Sequence, residues 1–559
     1  MSPIALVLTL TACRPTETPG IDEGDDTLDE DTLGGDPLYD LSHLLTVDLT
    51  LPEADWDTLR RQTRSIEDVI FAEDCQAEPF DSPFTWFEAS VSLDGQTFER
   101  IEVRKKGFIG SLNEDKPSLK LDLGEFDDEA TFMDARRLTL NNAVSDPALI
   151  RQCLAYAAFA DAGIPASQCS LARVSVNGDD LGIFVNIEPI KKPMLEGHFA
   201  SVEGNLYEGT LSDFRAGWTG TLEKKTNETE DDWSDIDALV EAAEADDDDL
   251  IAALSEVIDL DDFFRFWAME VLTQHGDGYA GNTNNFYLYA DPADGLLRFI
   301  PWGVDMTLGV WEETPPSVYA SGILAWRLYG LPEGRERYAD AMEQVLADAW
   351  DPDLMAARID TMTALIEPEV SASEWSRISG EISDVRDRVE DRAGELEAVL
   401  SEGLTDWNGE PRDSFCIAPF GSVEVAFETT WGTLTTADPF TTGTSEIDLD
   451  FDDGTVLDLD NGSAIIGTAE GETVMYLPAW ISPTQAILLY ASVPESDITP
   501  GTLTLDLSER IGALMYLDTD TMEDFEFVSY ITGDLTFTEA DTTSSAPVSG
   551  TLSGQFLAL

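Results

Sequence analysis

Between residue 44 and about residue 310 the chain switches repeatedly between two hydrophobic periods. Thr46-Val47-Asp48-Leu49-Thr50-Leu51 alternates apolar and polar positions as a half-buried strand does, and Glu53 to Leu59 then opens a helix. Strand-like stretches return at 84–93, 101–105, 118–123 and 137–140. A helix is expected over 149–162, stopped by Gly163-Ile164-Pro165. Residues 172–176 then lead through Asn177-Gly178-Asp179-Asp180 into 182–188, a hairpin by its turn residues, since Asn and Gly accept the left-handed backbone of a tight turn. From Leu260 to Gln274 the period is helical, with Phe263, Phe264, Phe266, Trp267, Val271 and Leu272 on a broad apolar face. Further helices are expected over about 335–349 and 368–402. After Trp407, short alternating segments separated by Gly, Thr, Asp and Pro run to the end. The pattern predicts an α+β domain over 44–403 and an acidic, all-β, sandwich-like domain over 404–559, with no internal repeat and no transmembrane span.

Composition narrows the partners. Across 559 residues, 111 acids face 31 Lys and Arg, a formal charge of −80 that excludes a general electrostatic grip on nucleic acid or on an anionic membrane surface. With 43% hydrophobic and 9% aromatic residues the chain is not of disordered composition, so the charge coats a folded protein. All eight lysines (Lys105, Lys106, Lys116, Lys120, Lys191, Lys192, Lys224 and Lys225) lie between 105 and 225, and Arg412 and Arg510 are the only bases after residue 403. Lys191-Lys192 and Lys224-Lys225 read as solvated pairs.

Residues 3–11 form a short apolar run, too short to span a bilayer and of signal-peptide size, and Leu10-Thr11-Ala12-Cys13 resembles a bacterial lipoprotein cleavage box. This implies a signal peptide over 1–13, a lipidated Cys13, an acidic flexible tether over 14–43, and a protein exported and lipid-anchored to the bacterial cell envelope, at the outer membrane or cell surface. The remaining cysteines, Cys75, Cys153, Cys169 and Cys416, are even in number, as an oxidising compartment favours, and allow three pairings. Cys153-Cys169 is the favoured one, because the turn at 163–165 brings the helix start back near the next strand. No Cys/His spacing suggests zinc.

The densest polar cluster runs from His275-Gly276-Asp277-Gly278 through Asn282, Asn284 and Asn285 into the strand Phe286-Tyr287-Leu288-Tyr289. Arg298 to Asp305 follows after an Asp294-Gly295 turn. A carboxylate and an amide eight residues apart can converge on one point, with a second carboxylate arriving from the paired strand. Such oxygen donors suit Mg²⁺ or Mn²⁺ sharing phosphate oxygens and water, whereas the plainer reading is Asp and Asn shaping a turn.

These residues resemble the CotH kinases, a family named after spore coat protein H and distantly similar to protein kinases. The shared stretches are Lys106-Gly107, Lys116-Pro117-Ser118-Leu119-Lys120-Leu121, Asn141-Asn142 with Asp146 and Arg151, and Asn177-Gly178 with Glu188. Asp277 to Tyr289, then Pro301-Trp302, completes the series. The resemblance covers about residues 44–400 and implies an atypical protein-kinase-like domain transferring the γ-phosphoryl of ATP to Ser or Thr of an exported or surface protein. In that reading Lys120, with Lys116 as alternate, holds nucleotide phosphates and Glu188 orients the lysine. Asp277 is the catalytic base, and Asn285, Asn282 and Asp305 bind Mg²⁺ or Mn²⁺. The family usually has Pro-Trp-Asp, where this chain has Pro301-Trp302-Gly303 with Asp305 two residues on, on the same side of a strand. The other function class is therefore a catalytically weak or inactive surface protein acting in binding or adhesion. An acid-coated enzyme would favour a basic protein substrate.

Other features read plainly. Asp448, Asp450 and Asp452 lie on one strand face without the full calcium-loop pattern, and Asp246 to Asp249 form a solvated loop. His275 is a helix C-terminal residue, and Trp302 and Trp311 pack beside the site.

Overall fold

The structure, a computed structural model, describes residues 36–557 apart from 65–66, 71–74, 310–316, 470–471, 506–509, 519 and 521–524. Cys13, the tether up to residue 35 and Trp311 lie outside the described residues.

Seven strands build a closed barrel: β1 (Leu44–Thr50), β2 (Phe87–Leu93), β3 (Gln96–Lys106), β4 (Ser118–Asp122), β5 (Arg137–Asn141), β6 (Cys169–Val176) and β7 (Asp179–Ile187), in the order β1-β2-β3-β4-β5-β7-β6. The antiparallel meander follows from short connections. The expected turn joins β6 to β7, with Asn177 at φ 54° and Gly178 at φ 89°. The ring closes where β1 runs parallel to β6, Leu44 beside Leu171 through Leu49 beside Val176. Leu45, Val47, Leu49, Leu119, Leu121 and Val174 fill one buried cluster inside, so strand alternation turns Lys120, next to Leu119 and Leu121, to the outer face. Lys105 is buried at the barrel end, its Nζ donating to the Arg60 carbonyl at 2.6 Å and so capping the Glu53–Arg61 helix.

A second sheet, ordered β11-β10-β8-β9, stands outside the barrel: β8 (Leu206–Gly209), β9 (Glu223–Lys224), β10 (Phe286–Ala290) and β11 (Leu297–Pro301). The Leu260–Leu272 helix packs on it, started by Asp259, whose side chain accepts from the Asp262 N–H. Its apolar face is buried as expected: Trp267 lies 4.4 Å from Tyr338 between ring centroids and donates its indole N–H to the Tyr319 carbonyl at 2.6 Å. Each large apolar side chain buried this way contributes about 1.5–3 kcal/mol. Helices at Pro332–Asp348, Pro352–Ile366 and Ala372–Glu402 complete the layer, the last begun by a Ser371/Glu374 capping box.

The expected Cys153–Cys169 disulfide is present, with Cα atoms 5.3 Å apart, and Cys75–Cys416 joins residues 341 apart in sequence. Residues 404–418 form a strap over the helices. Tyr329 Oη donates to the Thr405 carbonyl at 2.7 Å, Trp326 Nε1 to the Gly409 carbonyl at 2.9 Å, and Arg335 pairs with Asp406 at 2.6 Å.

The C-terminal part is all-β, but the sandwich expectation needs correction. β12 (Pro419–Thr430), β13 (Thr444–Phe451), β14 (Ile465–Ala469), β15 (Glu472–Ser482), β16 (Gln485–Val493), β17 (Gly501–Leu505), β18 (Ile511–Asp518), β19 (Glu526–Glu539) and β20 (Pro547–Leu557) make one hydrogen-bonded sheet. Its order is β13-β12-β20-β19-β18-β16-β15-β14, with β17 on β19. Long strands coil, and the sheet curls until Trp431, just after β12, bridges to Ile466 of β14. One rolled sheet thus encloses a core of Val425, Phe427, Leu489, Ile531, Leu552 and Phe556.

Candidate active site

The site grows from the end of the Leu260–Leu272 helix. Glu270, on that helix, is fully buried, and its carboxylate accepts the backbone N–H of Tyr279 at 2.7 Å and of Ala280 at 2.9 Å. Burial pushes its pKa up to about 8 against the pull of those two donors. The loop wraps so closely that a Cβ on Gly278 would stand 2.1 Å from Glu270 Oε1, and one on Gly281 would stand 2.2 Å from the Gly276 carbonyl. The glycine spacing of the His275–Gly281 stretch therefore follows from folding a turn around one buried carboxyl group. Non-glycine residues take left-handed backbone here, Gln274 at φ 60°, Thr283 at 52° and Asn285 at 51°, a concentration of strain that marks functional loops.

That loop presents Asp277. Asn282 Nδ2 donates to its Oδ1 at 2.5 Å, Asn284 Nδ2 to the same oxygen at 3.3 Å, and Asn285 Nδ2 to its Oδ2 at 2.7 Å. His275, after the helix end as expected, donates its backbone N–H to the Glu270 carbonyl at 2.7 Å. Its ring is buried, and burial lowers its pKa to about 4 although Asp277 opposes the shift.

The opposite wall is the exit of β11 and the outer face of β3 and β4. Burial raises the Asp305 carboxyl to about 6, Asp146 and Asp277 add to the rise, and Lys106 opposes it. Lys106 stands 5.4 Å from the Trp302 ring centroid, and burial lowers its pKa against the attraction of Asp305 and Glu208. Glu208, on β8, is held below its ordinary range: burial works the other way, and the charges of Lys225 and Lys120 with a hydrogen bond from Tyr287 prevail. Lys225 Nζ reaches Glu208 at 3.1 Å and Glu223 at 2.7 Å, while Lys224 Nζ donates to the carbonyls of Glu230 and Asp232. The solvated reading of Lys224-Lys225 is thus corrected: both are buried, because β9 folds them against acids and carbonyls.

Asn282 and Asn285 thus hold Asp277, Asp305 lies within Coulombic reach of Asp277 and Lys106, and Lys120 lies within reach of Glu208. Lys116 points to another partner, its Nζ donating to the Ile183 carbonyl at 2.7 Å and standing 4.8 Å from the Phe184 ring centroid. Burial lowers it to about 8, with Arg377 adding to the fall. The Glu188 carboxylate accepts the Gln168 N–H at 2.9 Å, and Glu208 lies within Coulombic reach of Lys120. Glu208, Glu270 and Lys106 as partner of Asp305 were not singled out as site residues by the sequence. Glu270 alone left a trace, as an acid on an otherwise apolar helix face.

The donor set fits a hard divalent ion that keeps water and phosphate oxygens. Among the described residues no three His, Cys, Asp or Glu side chains gather as a cage, so Asp305 with the Asn285 and Asn282 amide oxygens would supply only part of a coordination shell. Around the Trp302–Gly303 turn the buried Tyr156 hydroxyl faces Gln152 and the Gly303 backbone, and the His275 ring faces the backbones of Trp302 and Asn285. Gly303 itself is left-handed at φ 57°, and a Cβ there would stand 2.5 Å from Asn285 Oδ1. The Asn285 amide occupies the space that an aspartate at 303 would need.

The family described as CotH kinase protein matches residues 103–401, more than half of the chain. The chain belongs to this family. Among CotH relatives, the inner spore coat protein H of Bacillus subtilis (strain 168) is 26% identical over 264 residues, 44% of this chain and 72% of that one. Invasin CotH2 of Rhizopus delemar is 24% identical over 278 residues, 44% of this chain and 46% of that one, so this chain spans less than half of the invasin. A solved structure, the Helicobacter pylori proinflammatory kinase CtkA, aligns with a TM-score of 0.28 at 13% identity, over 52% of this chain and 95% of that one. The CotH match takes in β4, the Asp277 loop, Asp305 and the helices through residue 401.

Proposed function

We propose that this chain is an atypical protein kinase that transfers the γ-phosphoryl of ATP to a Ser or Thr hydroxyl of an exported or surface protein. The observation that carries the reading is Asp277, held by three asparagine amides on a strained loop and within Coulombic reach of Asp305, which Lys106 attends. The acceptor oxygen bonds to the γ-phosphorus while the bond to the β–γ bridging oxygen breaks, its electron pair leaving with ADP and the hydroxyl proton passing to Asp277. Lys120 and Lys106 would meet the phosphate charge. Asp305 with the Asn285 and Asn282 amides would hold Mg²⁺ or Mn²⁺, which supplies charge neutralisation when bound. Acid coating favours a basic protein as substrate, and Cys13 as lipid anchor would keep the enzyme on the cell envelope.

The second reading, a CotH surface protein acting in binding or adhesion with little or no catalysis, is favoured by Gly303, whose backbone and crowding by Asn285 are adapted to glycine. The deciding measurement is a thermal-shift titration of residues 37–559 with ATP and Mg²⁺ or Mn²⁺, beside Asp277→Ala and Asp305→Ala. A metal-dependent rise in melting temperature that Asp305→Ala removes is expected for the kinase, since a ligand binding only the folded state must stabilise it. No shift up to millimolar nucleotide refutes it in favour of the binding protein.

A further inference from the structure

The strap of residues 404–418 reaches the Asp277 loop through a short relay of backbone contacts. The Arg412 N–H donates to the Ser321 carbonyl at 2.8 Å, and the Ser321 N–H donates to the Ala280 carbonyl at 2.7 Å, three residues beyond Asp277. From the other side Arg215 Nη2 donates to the Arg412 carbonyl at 2.6 Å, while Arg215 Nε pairs with Asp213 at 2.9 Å. Asp213 in turn accepts from Tyr279 Oη at 2.9 Å. The strap is fixed beyond this point as well, for Ser414 Oγ donates to Gln76 Oε1 at 2.7 Å and Cys416 is disulfide-bonded to Cys75. Its backbone is thus held at the mouth of the site on both flanks of residue 412.

The Arg412 side chain uses none of these anchors. Its Nε is buried without a partner, and among the described residues its guanidinium makes no hydrogen bond or ion pair. It nevertheless stands within Coulombic reach of Asp277, whose charge opposes the lowering that burial imposes on it. The strap and everything after it hold only one other base, Arg510. A guanidinium kept near a carboxylate and not bonded to it leaves its donor fork open to an anion arriving between them.

We propose that Arg412 is a catalytic residue supplied by the strap, contacting the γ-phosphoryl oxygens of ATP as the phosphoryl group passes to the acceptor hydroxyl. This rests on the kinase reading above and adds to it the cation that offsets charge on the transferred group from outside the barrel wall. A contact to the γ-phosphoryl distinguishes ATP from ADP, which a role in folding does not.

The test is calorimetric titration of Mg²⁺-ATP and Mg²⁺-ADP into the wild type, Arg412→Gln and Arg412→Lys, with melting temperatures of the free proteins as a check of folding. Arg412→Gln is expected to weaken ATP at least about tenfold and to change ADP less than about twofold, with Arg412→Lys between the two. Equal loss for both nucleotides would make the residue structural, and unchanged or tighter ATP binding by Arg412→Gln would overturn the contact; either outcome leaves the kinase reading standing. A wild type that binds neither nucleotide overturns the kinase reading and this inference together.

Discussion

Glu270→Gln tests the core of the site without any ligand. In the folded chain the Glu270 carboxyl titrates near 8 instead of the ordinary 4.5. Below about pH 4.5 both folded and unfolded chains carry the proton and ionisation costs nothing. As pH rises toward 8 the unfolded chain releases its proton while the folded chain keeps it, so stability falls across this window and levels off above it. A difference of about 3.5 units at 1.36 kcal/mol each sets a ceiling of roughly 4–5 kcal/mol. Glutamine does not titrate, but it turns an NH₂ toward one of the two N–H groups now bonded to the carboxylate, which costs about 1–3 kcal/mol at every pH. The wild type is therefore expected to be the more stable protein near pH 5 and to lose that advantage by about pH 8. Urea unfolding at fixed ionic strength reads this directly, followed by tryptophan fluorescence, since Trp267 shares the helix with Glu270. A stability difference that stays constant within about 0.5 kcal/mol from pH 5 to 8.5, or that grows with pH, would refute the reasoning; growth would mean that the two N–H donors hold the carboxylate ionised.

Three other outcomes follow from the same geometry. Gly278→Ala, whose Cβ would collide with Glu270, is expected to destabilise by about 1–3 kcal/mol, whereas Gly380→Ala, in open space within the Ala372–Glu402 helix, should stabilise by about 0.5–1 kcal/mol; thermal melts compare them. Metal-dependent nucleotide affinity should rise with pH through about 6 as Asp305 ionises, and titrations of Asp305→Asn should lose that rise. Cys75→Ser with Cys416→Ser should unfold at lower urea than the wild type, because the bridge closes a loop of 341 residues worth at most about 5–6 kcal/mol in chain entropy; an unchanged midpoint would contradict this.

Local chemistry was the legible part of the fold. Asn177-Gly178 named its own turn, the Phe263–Leu272 stripe named its buried face, and Gly163 with Pro165 brought Cys153 back to Cys169. Asp277, Asn282 and Asn285 stood out as a dense polar loop, a pattern that equally suits a plain turn, and the structure shows both amides bonded to the Asp277 carboxylate. What stayed hidden depends on distant pairing. The parallel contact of β1 with β6 has no local signal, nor does the curl that makes one sheet of the C-terminal strands. Glu208 and Lys225 gain their meaning only when β8 and β9 meet the outer face of the barrel. Arg412 lay in a stretch that reads as the start of the acidic β domain, and only the backbone relay through Ser321 to Ala280 ties it to the Asp277 loop.

The parallel seam between β1 and β6 also fixes an order in time. β1 begins at Leu44 and its partner ends at Val176, so the seam has no second edge until 132 further residues have been made. At about 5–20 residues per second, synthesis leaves β1 waiting roughly 7–25 s. Throughout that interval Leu45, Val47 and Leu49 have no closed barrel interior to enter, and the edge of β1 away from β2 is open to pairing with another chain. The first strand of the barrel, paired early with β2 on one edge, thus keeps its other edge open until β6 is made, and the ring closes only when β7 joins β6 to β5.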